Sequence, residues 1–106
     1  MKVVISLIVL TFLSFGNGWA KDGETLFKYK GCAGCHEKTK DSIGPSLATI
    51  SKAYKGDKKA LLRFFRGEAK PIVKPENFKL MEPFQSMLKN MPDKDQNAIA
   101  DYILSH

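Results

Sequence analysis

The sequence predicts an all-α fold for a single small domain. Hydrophobic residues recur at helical spacing along the chain, as Ile99, Tyr102 and Ile103 do near its end. Glycine and proline residues separate these segments, and no stretch alternates apolar and polar residues in the way that a half-buried strand does. The chain has 106 residues, enough for one core, and its hydrophobic share of 43% argues against intrinsic disorder.

The N-terminal segment, residues 1–20, has the composition of a secretory signal peptide. Lys2 supplies a positive charge, an apolar run follows from Val3 to Phe15, and small residues occupy the third-last and last positions, Gly18 and Ala20. This apolar run is short for a membrane-spanning helix. We therefore expect cleavage after Ala20, export to a bacterial periplasm, and no stable membrane insertion of residues 21–106. Loss of Lys2 lowers the formal net charge from +6 to +5.

Capping residues and stop signals predict three helices in the first part of the exported chain. Asp22 is expected to be the N-cap of the first helix, which ends at Gly31. Ser46 follows a Gly-Pro break and opens the second helix. Asp57 is expected to cap the third helix, which the next glycine ends.

Prolines interrupt the segment between the third helix and the last one. These residues are Pro71, Pro75, Pro83 and Pro92. We predict that this segment is mostly loop with short helical turns, because proline lacks the backbone N–H and crowds a regular helix. Asp93 and Gln96 then have the spacing of a capping box, which predicts the start of the last helix.

Cys32, Cys35 and His36 form a C-x-x-C-H sequence, which is the attachment signal for c-type haem. Two thiols one helical turn apart can add to two vinyl groups on one edge of a porphyrin, and the adjacent imidazole can then reach the iron. A C-x-x-C redox centre normally lies in a βαβ setting, which this sequence does not predict. A structural zinc site needs four ligands, and beyond these three residues the exported chain offers only the terminal His106.

The segment from Asp22 to Ser105 resembles the class I single-haem cytochromes c, in particular short bacterial members of the c-555 type. The resemblance rests on the attachment motif and on Gly44-Pro45-Ser46-Leu47, which is similar to the family's Gly-Pro-x-Leu. It implies a cytochrome c fold of four to five helices around one haem c, with its iron, attached through the two cysteines. It also implies that His36 binds the iron and that the Pro45 carbonyl accepts the Nδ1–H bond of this histidine.

The same resemblance implies that the first helix crosses the last one. Gly23 and Phe27 match the family's positions on the first helix, and Ile99 and Tyr102 match the facing positions on the last. A glycine at such a crossing lets the two backbones approach closely. Phe27 and Tyr102 are therefore expected in the core.

A sixth iron ligand is expected among three methionines, because carriers of this kind commonly use methionine opposite histidine. Met81 lies in a segment that resembles the ligand segment of the family members most similar to this chain, and we take it as the ligand. Met87 is the alternative, at the position that compact family members use. Met91 directly precedes the last helix and is interpreted as its hydrophobic staple. His106 is a poor candidate because chain ends fray.

These features predict a one-electron carrier and not an enzyme. The carrier would work between respiratory or sulfur-oxidising donors and a terminal oxidase or reductase. A haem-bearing subunit of a larger redox complex is the alternative, and a small peroxidase or gas-binding protein is a weaker one, because no spare histidine could serve as a distal acid–base group. Lysines and arginines are scattered without a dense basic run, which argues against nucleic acid. We expect a monomer that docks onto acidic surfaces of redox partner proteins.

Overall fold

The computed structural model describes residues 18–106, with side chains from Asp22 onward. Residues 1–17 of the predicted signal peptide lie outside this part. Five α-helices and no β-strand occur in residues 18–106, which confirms the all-α prediction. They are α1 (Gly18–Tyr29), α2 (Leu47–Tyr54), α3 (Lys58–Phe65), α4 (Phe78–Lys89) and α5 (Asp93–Leu104). Within the same residues, none of the helices combines the length and apolar character that crossing a membrane requires.

Helices α1 and α5 cross closely, as the resemblance implied, and form the most extensive helix contact of the described chain. Gly23 is buried at the crossing, where a Cβ atom would overlap the Ala98 carbonyl and lie 2.8 Å from Tyr102 Cβ. The rings of Phe27 and Tyr102 are 5.4 Å apart between centroids and tilted by 56°, a favourable arrangement for an aromatic pair. Ala98 and Tyr102 are therefore the residues nearest to Gly23, while Ile99 lines the cavity described below.

Helix α5 also packs against α2 and α3, so it lies at the centre of the helix packing. Ile99 and Ala100 of this helix are almost fully buried, with 1% and 0% of their surface exposed. Polar contacts add to the apolar ones at its outer edge. Ser51 Oγ of α2 donates to the Leu104 carbonyl at 3.3 Å, for example. A helix that touches three others fixes their relative positions.

Helices α2 and α3 begin where their capping residues predict. Ser46 Oγ accepts a hydrogen bond from the Thr49 backbone N–H at 3.1 Å. Asp57 Oδ1 accepts one from the Ala60 N–H at 3.0 Å. Each side chain satisfies an N–H group that has no carbonyl partner inside its own helix, which stabilises the helix start by about 1 kcal/mol.

Two other predicted caps do not form. Helix α1 begins at Gly18, so Asp22 lies inside it, because no glycine or proline between them stops the helix. Helix α5 includes Asp93 in its first turn and not as its N-cap. Gln96 is buried and its Oε1 accepts a hydrogen bond from Arg66 Nε at 2.9 Å. This side chain is used in tertiary contacts and does not complete a capping box with Asp93.

The proline-rich segment contains a helix that was not predicted. Helix α4 continues through Pro83, although an interior proline loses one hydrogen bond and costs about 3 kcal/mol. Phe78, Met81, Phe84 and Leu88 recur at helical spacing, and all four line the interior cavity. Burial of such side chains contributes up to about 1.5–3 kcal/mol each. The loop prediction was wrong because this buried face outweighs the local effect of one proline.

Replacing Gly23 with alanine is expected to destabilise the fold by about 1–3 kcal/mol. The added methyl group would overlap the Ala98 carbonyl, so α1 and α5 would have to separate. Chemical denaturation of the purified protein measures the loss. Gly34→Ala is the matched control, because a Cβ atom at Gly34 meets no atom within 4 Å. Equal denaturation midpoints for the two variants would contradict the steric explanation.

Candidate functional site

All five helices contribute to one large cavity inside the described chain. Its empty volume is about 1040 Å³, including the part that opens to solvent. Most of its walls are apolar, and each helix supplies at least one side chain: Phe27, Ile50, Phe65, Phe84 and Ile103, in chain order. Close-packed protein interiors leave few voids larger than a water molecule, so an apolar space lined by side chains of all five helices marks the place where a ligand would bind.

The segment after α1 brings the C-x-x-C-H motif to the cavity. Cys32–Gly34 forms a 3₁₀ turn, and the N–H groups of Cys35 and His36 both donate to the Cys32 carbonyl, at 3.2 and 3.0 Å. All three motif side chains line the cavity, and both thiols are free. Burial raises the pKa of the Cys32 thiol to about 11, so that this thiol is uncharged at neutral pH.

The backbone holds the imidazole of His36 in place. Its Nδ1–H donates to the Pro45 carbonyl, with 2.7 Å between nitrogen and oxygen. A carbonyl oxygen can only accept, so the proton is on Nδ1, and Nε2 keeps a lone pair that can bind a metal ion. The ring of Phe27 lies 6.4 Å from the imidazole between centroids. The structure therefore brings together His36 and Pro45, the two residues that the family resemblance paired.

Backbone hydrogen bonds also fix the segment that presents Pro45. The Gly44 N–H donates to the Cys35 carbonyl at 2.8 Å. The Leu47 N–H, the first of α2, donates to the Glu37 carbonyl at 2.8 Å. The second bond also satisfies one of the helix-start N–H groups that lack a partner within the helix. The wall of the cavity that carries the motif is therefore held by main-chain contacts.

Only one of the methionine candidates lines the cavity. Met81 does so from α4, whereas Met87 and Met91 are absent from the cavity walls in the described chain. Six helical residues place Met87 about 120° around α4 from Met81. Met91 is 9% exposed and packs into the hydrophobic core. His106 Nδ1 donates to the Tyr102 carbonyl at 2.9 Å, outside the cavity.

Two glutamine side chains anchor α4, and neither role was predicted from the sequence. Gln85 Nε2 donates to the Phe64 carbonyl near the end of α3 at 2.8 Å. Gln96 Nε2 on α5 donates to the Leu88 carbonyl near the end of α4, also at 2.8 Å. The position of Gln96 three residues before Ile99, on the buried face of α5, is the sequence signal that could have indicated its burial.

Few polar side chains reach the cavity. Beyond the motif they are Tyr54, Lys74 and Asn77. Lys74 is partly exposed, and its Nζ lies 3.3 Å from Asp41 Oδ2. The sequence did not indicate that these three residues line the cavity. Because so few polar side chains reach it, the site is suited to a large apolar molecule that carries a small number of polar groups.

An all-α domain that places a C-x-x-C-H motif on the wall of one apolar cavity defines a c-type haem protein. The Cytochrome c family profile matches residues 20–106, and the chain belongs to this family. It is 26% identical to cytochrome c-551 of Pseudomonas aeruginosa over 102 aligned residues, and this alignment covers 96% of this chain and 93% of the relative. It is 26% identical over 103 residues to cytochrome c-552 of Hydrogenobacter thermophilus, which covers 97% and 94%. Cytochrome c-551 of Stutzerimonas stutzeri is 37% identical over 51 residues, which cover 47% of this chain and 49% of the relative.

As a cytochrome c, the chain binds one covalently attached haem c with its iron, and it is an electron-transfer protein and not an enzyme. The residues of the cavity fit this group. Two free thiols and an imidazole with an available Nε2 lie along it, and the other walls are apolar. The backbone at Gly44 leaves room for the imidazole, since a Cβ atom there would lie 2.7 Å from His36 Cε1.

Gly44→Ala is expected to displace the imidazole of His36. The new methyl group would lie 2.7 Å from Cε1 and 2.9 Å from Nδ1, so the ring would have to move and its bond to Pro45 would lengthen. The expected loss of stability is about 1–3 kcal/mol in chemical denaturation. Faster solvent exchange of the His36 Nδ1 proton, followed by NMR, should accompany it.

Gly34→Ala is again the control, because it changes a glycine inside the motif without any steric contact. If Gly44→Ala altered neither stability nor proton exchange more than Gly34→Ala does, the close fit between Gly44 and His36 would be unimportant.

Proposed function

We propose that the chain is a periplasmic one-electron carrier in which His36 and Met81 would be the two protein ligands of the haem iron. Cys32 and Cys35 would form the two thioethers, and Pro45 would hold the histidine ring. The observation that supports this assignment most directly is that these five residues line the same cavity. The proposed donors are respiratory or sulfur-oxidising proteins, and the acceptor is a terminal oxidase or reductase.

The bound haem supplies the electron exchange, because its iron changes between ferrous and ferric forms. The residues of the chain supply the surroundings. The Pro45 carbonyl orients the imidazole of His36 and increases its basicity by accepting the Nδ1–H bond. The thioether of Met81 is a soft ligand and raises the reduction potential relative to a second histidine. The apolar walls exclude water and so limit the reorganisation around the iron.

Support for Met81 over Met87 comes from the arrangement of α4. Met81 lies one helical turn before Gln85, whose amide is bonded to the Phe64 carbonyl. This contact holds the turn that carries Met81 against α3. Met87 lies on another side of the helix, away from the cavity walls.

We also propose export with cleavage after Ala20, on the basis of the signal-like composition of residues 1–20. Such cleavage would remove Gly18, Trp19 and Ala20 from the start of α1. N-terminal sequencing of the haem-loaded protein would then find Lys21 first. An intact N-terminus would contradict the proposal.

The residues at the rim of the cavity are the basis for our proposal that the protein docks transiently onto acidic partner proteins. Ile43, Ile72 and Leu80 line the cavity and are 62%, 57% and 65% exposed. Lys74 and Lys79 adjoin this apolar rim along the chain. Positive charge beside an apolar rim steers an acidic partner toward the haem while the contact remains weak enough to dissociate.

Met81→Ala is expected to abolish the methionine-to-iron charge-transfer band at the red end of the spectrum of the oxidised protein. The alanine side chain offers no sulfur to the iron. Met87→Ala is the matched control and should keep the band, because Met87 lies away from the cavity walls. Absorption spectra of oxidised and reduced protein provide the measurement.

A band lost in Met87→Ala and kept in Met81→Ala would move the ligand role to Met87. A wild-type protein that lacked sharp reduced bands, or that bound carbon monoxide without denaturation, would contradict the proposed carrier with both axial positions filled.

Electron transfer to an acidic protein partner is expected to slow as salt is added. The Debye length shortens from about 30 Å at 0.01 M to about 10 Å at 0.1 M ionic strength, so the attraction that steers the encounter is screened. Stopped-flow rates at increasing salt measure this effect. The rate with a small uncharged oxidant serves as the control and should stay constant. Equal salt dependence for both reactants would exclude steering by the lysines.

A further inference from the structure

The peptide group between Pro45 and Ser46 connects His36 to a carboxylate. Its carbonyl oxygen accepts the hydrogen bond from His36 Nδ1–H at 2.7 Å. Its N–H donates to Asp41 Oδ1 at 2.8 Å. A peptide group is planar and conjugated, so both bonds act on one rigid and polarisable unit. Two consecutive hydrogen bonds therefore link the side chain of Asp41 to the imidazole.

Asp41 is held firmly in this position. Its Oδ1 also accepts a hydrogen bond from Thr49 Oγ1 at 3.0 Å, and its Oδ2 lies 3.3 Å from Lys74 Nζ. The bond from the Ser46 N–H, followed by that from the Thr49 hydroxyl, lowers the pKa of Asp41 to about 2. The carboxylate is therefore charged at neutral pH, when it accepts from the peptide.

A charged acceptor strengthens the bonds that follow it in a chain. Hydrogen bonds to a carboxylate are stronger than those between neutral groups, and bonds in series polarise one another. Electron density drawn toward the Pro45 oxygen makes it a better acceptor for His36 Nδ1–H. A stronger bond at Nδ1 raises the basicity of the other ring nitrogen and fixes the ring orientation.

We propose that Asp41 is a positioning residue for His36 and acts on it through the Pro45–Ser46 peptide, so that it lowers the reduction potential of the bound haem. The inference rests on the proposed function, because it takes His36 as an iron ligand. The negative charge of Asp41 favours the ferric state by strengthening the donor character of the imidazole.

Lys74 joins the same network from a segment that is distant along the chain. It belongs to the segment that precedes α4, whereas Asp41 belongs to the segment that precedes α2. Its ammonium group balances part of the charge on Asp41 and so moderates the effect on the peptide. Removing Lys74 should therefore act in the opposite direction to removing the charge of Asp41.

The test is Asp41→Asn, which removes the charge and keeps an oxygen that can accept from Ser46. Asp57→Asn is the matched control. Asp57 is also an exposed carboxylate at a helix start, where it accepts a hydrogen bond from the backbone N–H of Ala60 at 3.0 Å. The peptide group of that N–H makes no hydrogen bond to His36, whose partner is Pro45. Both substitutions remove one negative charge from the protein.

Two measurements are made on each haem-loaded variant. Equilibrium redox titration gives the reduction potential, and NMR of the reduced protein gives the solvent exchange rate of the His36 Nδ1 proton. We expect Asp41→Asn to raise the potential above that of Asp57→Asn and to accelerate the proton exchange roughly tenfold. The exchange rate is the readout that a distant charge alone would not change.

A higher potential in Asp41→Asn with unchanged proton exchange would overturn the inference, because Asp41 would then act only as a surface charge. Equal behaviour of Asp41→Asn and Asp57→Asn in both measurements would also overturn it. If Asp41→Asn does not fold, Lys74→Gln provides the test, since it keeps the Asp41–Ser46 bond. It should lower the potential without accelerating the exchange, and faster exchange would contradict the proposal.

The wild-type protein separates this inference from the proposed function. If its reduced form shows no protected Nδ1 proton on an iron-bound His36, the proposed ligation itself is wrong. If that proton is present and protected in the wild type and unchanged in Asp41→Asn, the ligation stands and only the role of Asp41 fails.

Discussion

The interior of this protein surrounds a space that its own side chains do not fill, and every helix has one face directed to that space. Ile99 and Ile103 of α5 belong both to the packed core and to the cavity wall, so the core and the wall are parts of one structure. A domain of this size buries only about 60–65% of the surface that its unfolded chain exposes. Haem c supplies the missing apolar contacts. Because these contacts exist only in the folded arrangement, packing around the covalently attached haem contributes to the stability of the fold.

The two parts of the cavity wall that carry the proposed iron ligands are built differently. The wall with His36 consists of a continuous segment tied by main-chain hydrogen bonds, such as Gly44 N–H to the Cys35 carbonyl. The wall with Met81 is a helix that contains Pro83 and is anchored by glutamine side chains. Displacing the first wall breaks main-chain hydrogen bonds at the start of α2, whereas displacing the second breaks side-chain contacts. The proposed histidine ligand therefore has the stiffer support.

Local patterns predicted much of the fold, because the forces involved act between neighbouring residues. The C-x-x-C-H motif and the caps at Ser46 and Asp57 are of this kind. Helix α4 was missed because Pro83 is a visible local obstacle, while the cavity that its apolar face meets is formed by the rest of the chain. Gln96 was misinterpreted for the same reason, since its partners come from other helices.

The network around the candidate site shows the limit of prediction most clearly. Asp41 and Lys74 are 33 positions apart, and no periodicity or spacing relates them. Pro45 was assigned by resemblance, but the same peptide also reaches Asp41 through its N–H, a contact that becomes visible only when the loop is seen folded. Contacts of this type depend on the path of the backbone and not on a residue pattern.

The pairing of α1 with α5 has a consequence for how the protein is made. A chain is synthesised from its N-terminus, so Gly23 and Phe27 exist long before Ala98 and Tyr102, the residues they pack against. Until the last helix is present, α1 lacks its most extensive helix contact. Cys32 is buried in the folded chain, so its thiol is more accessible before α1 and α5 pack together. Packing of α5 against α1 then completes the helix arrangement that surrounds the cavity.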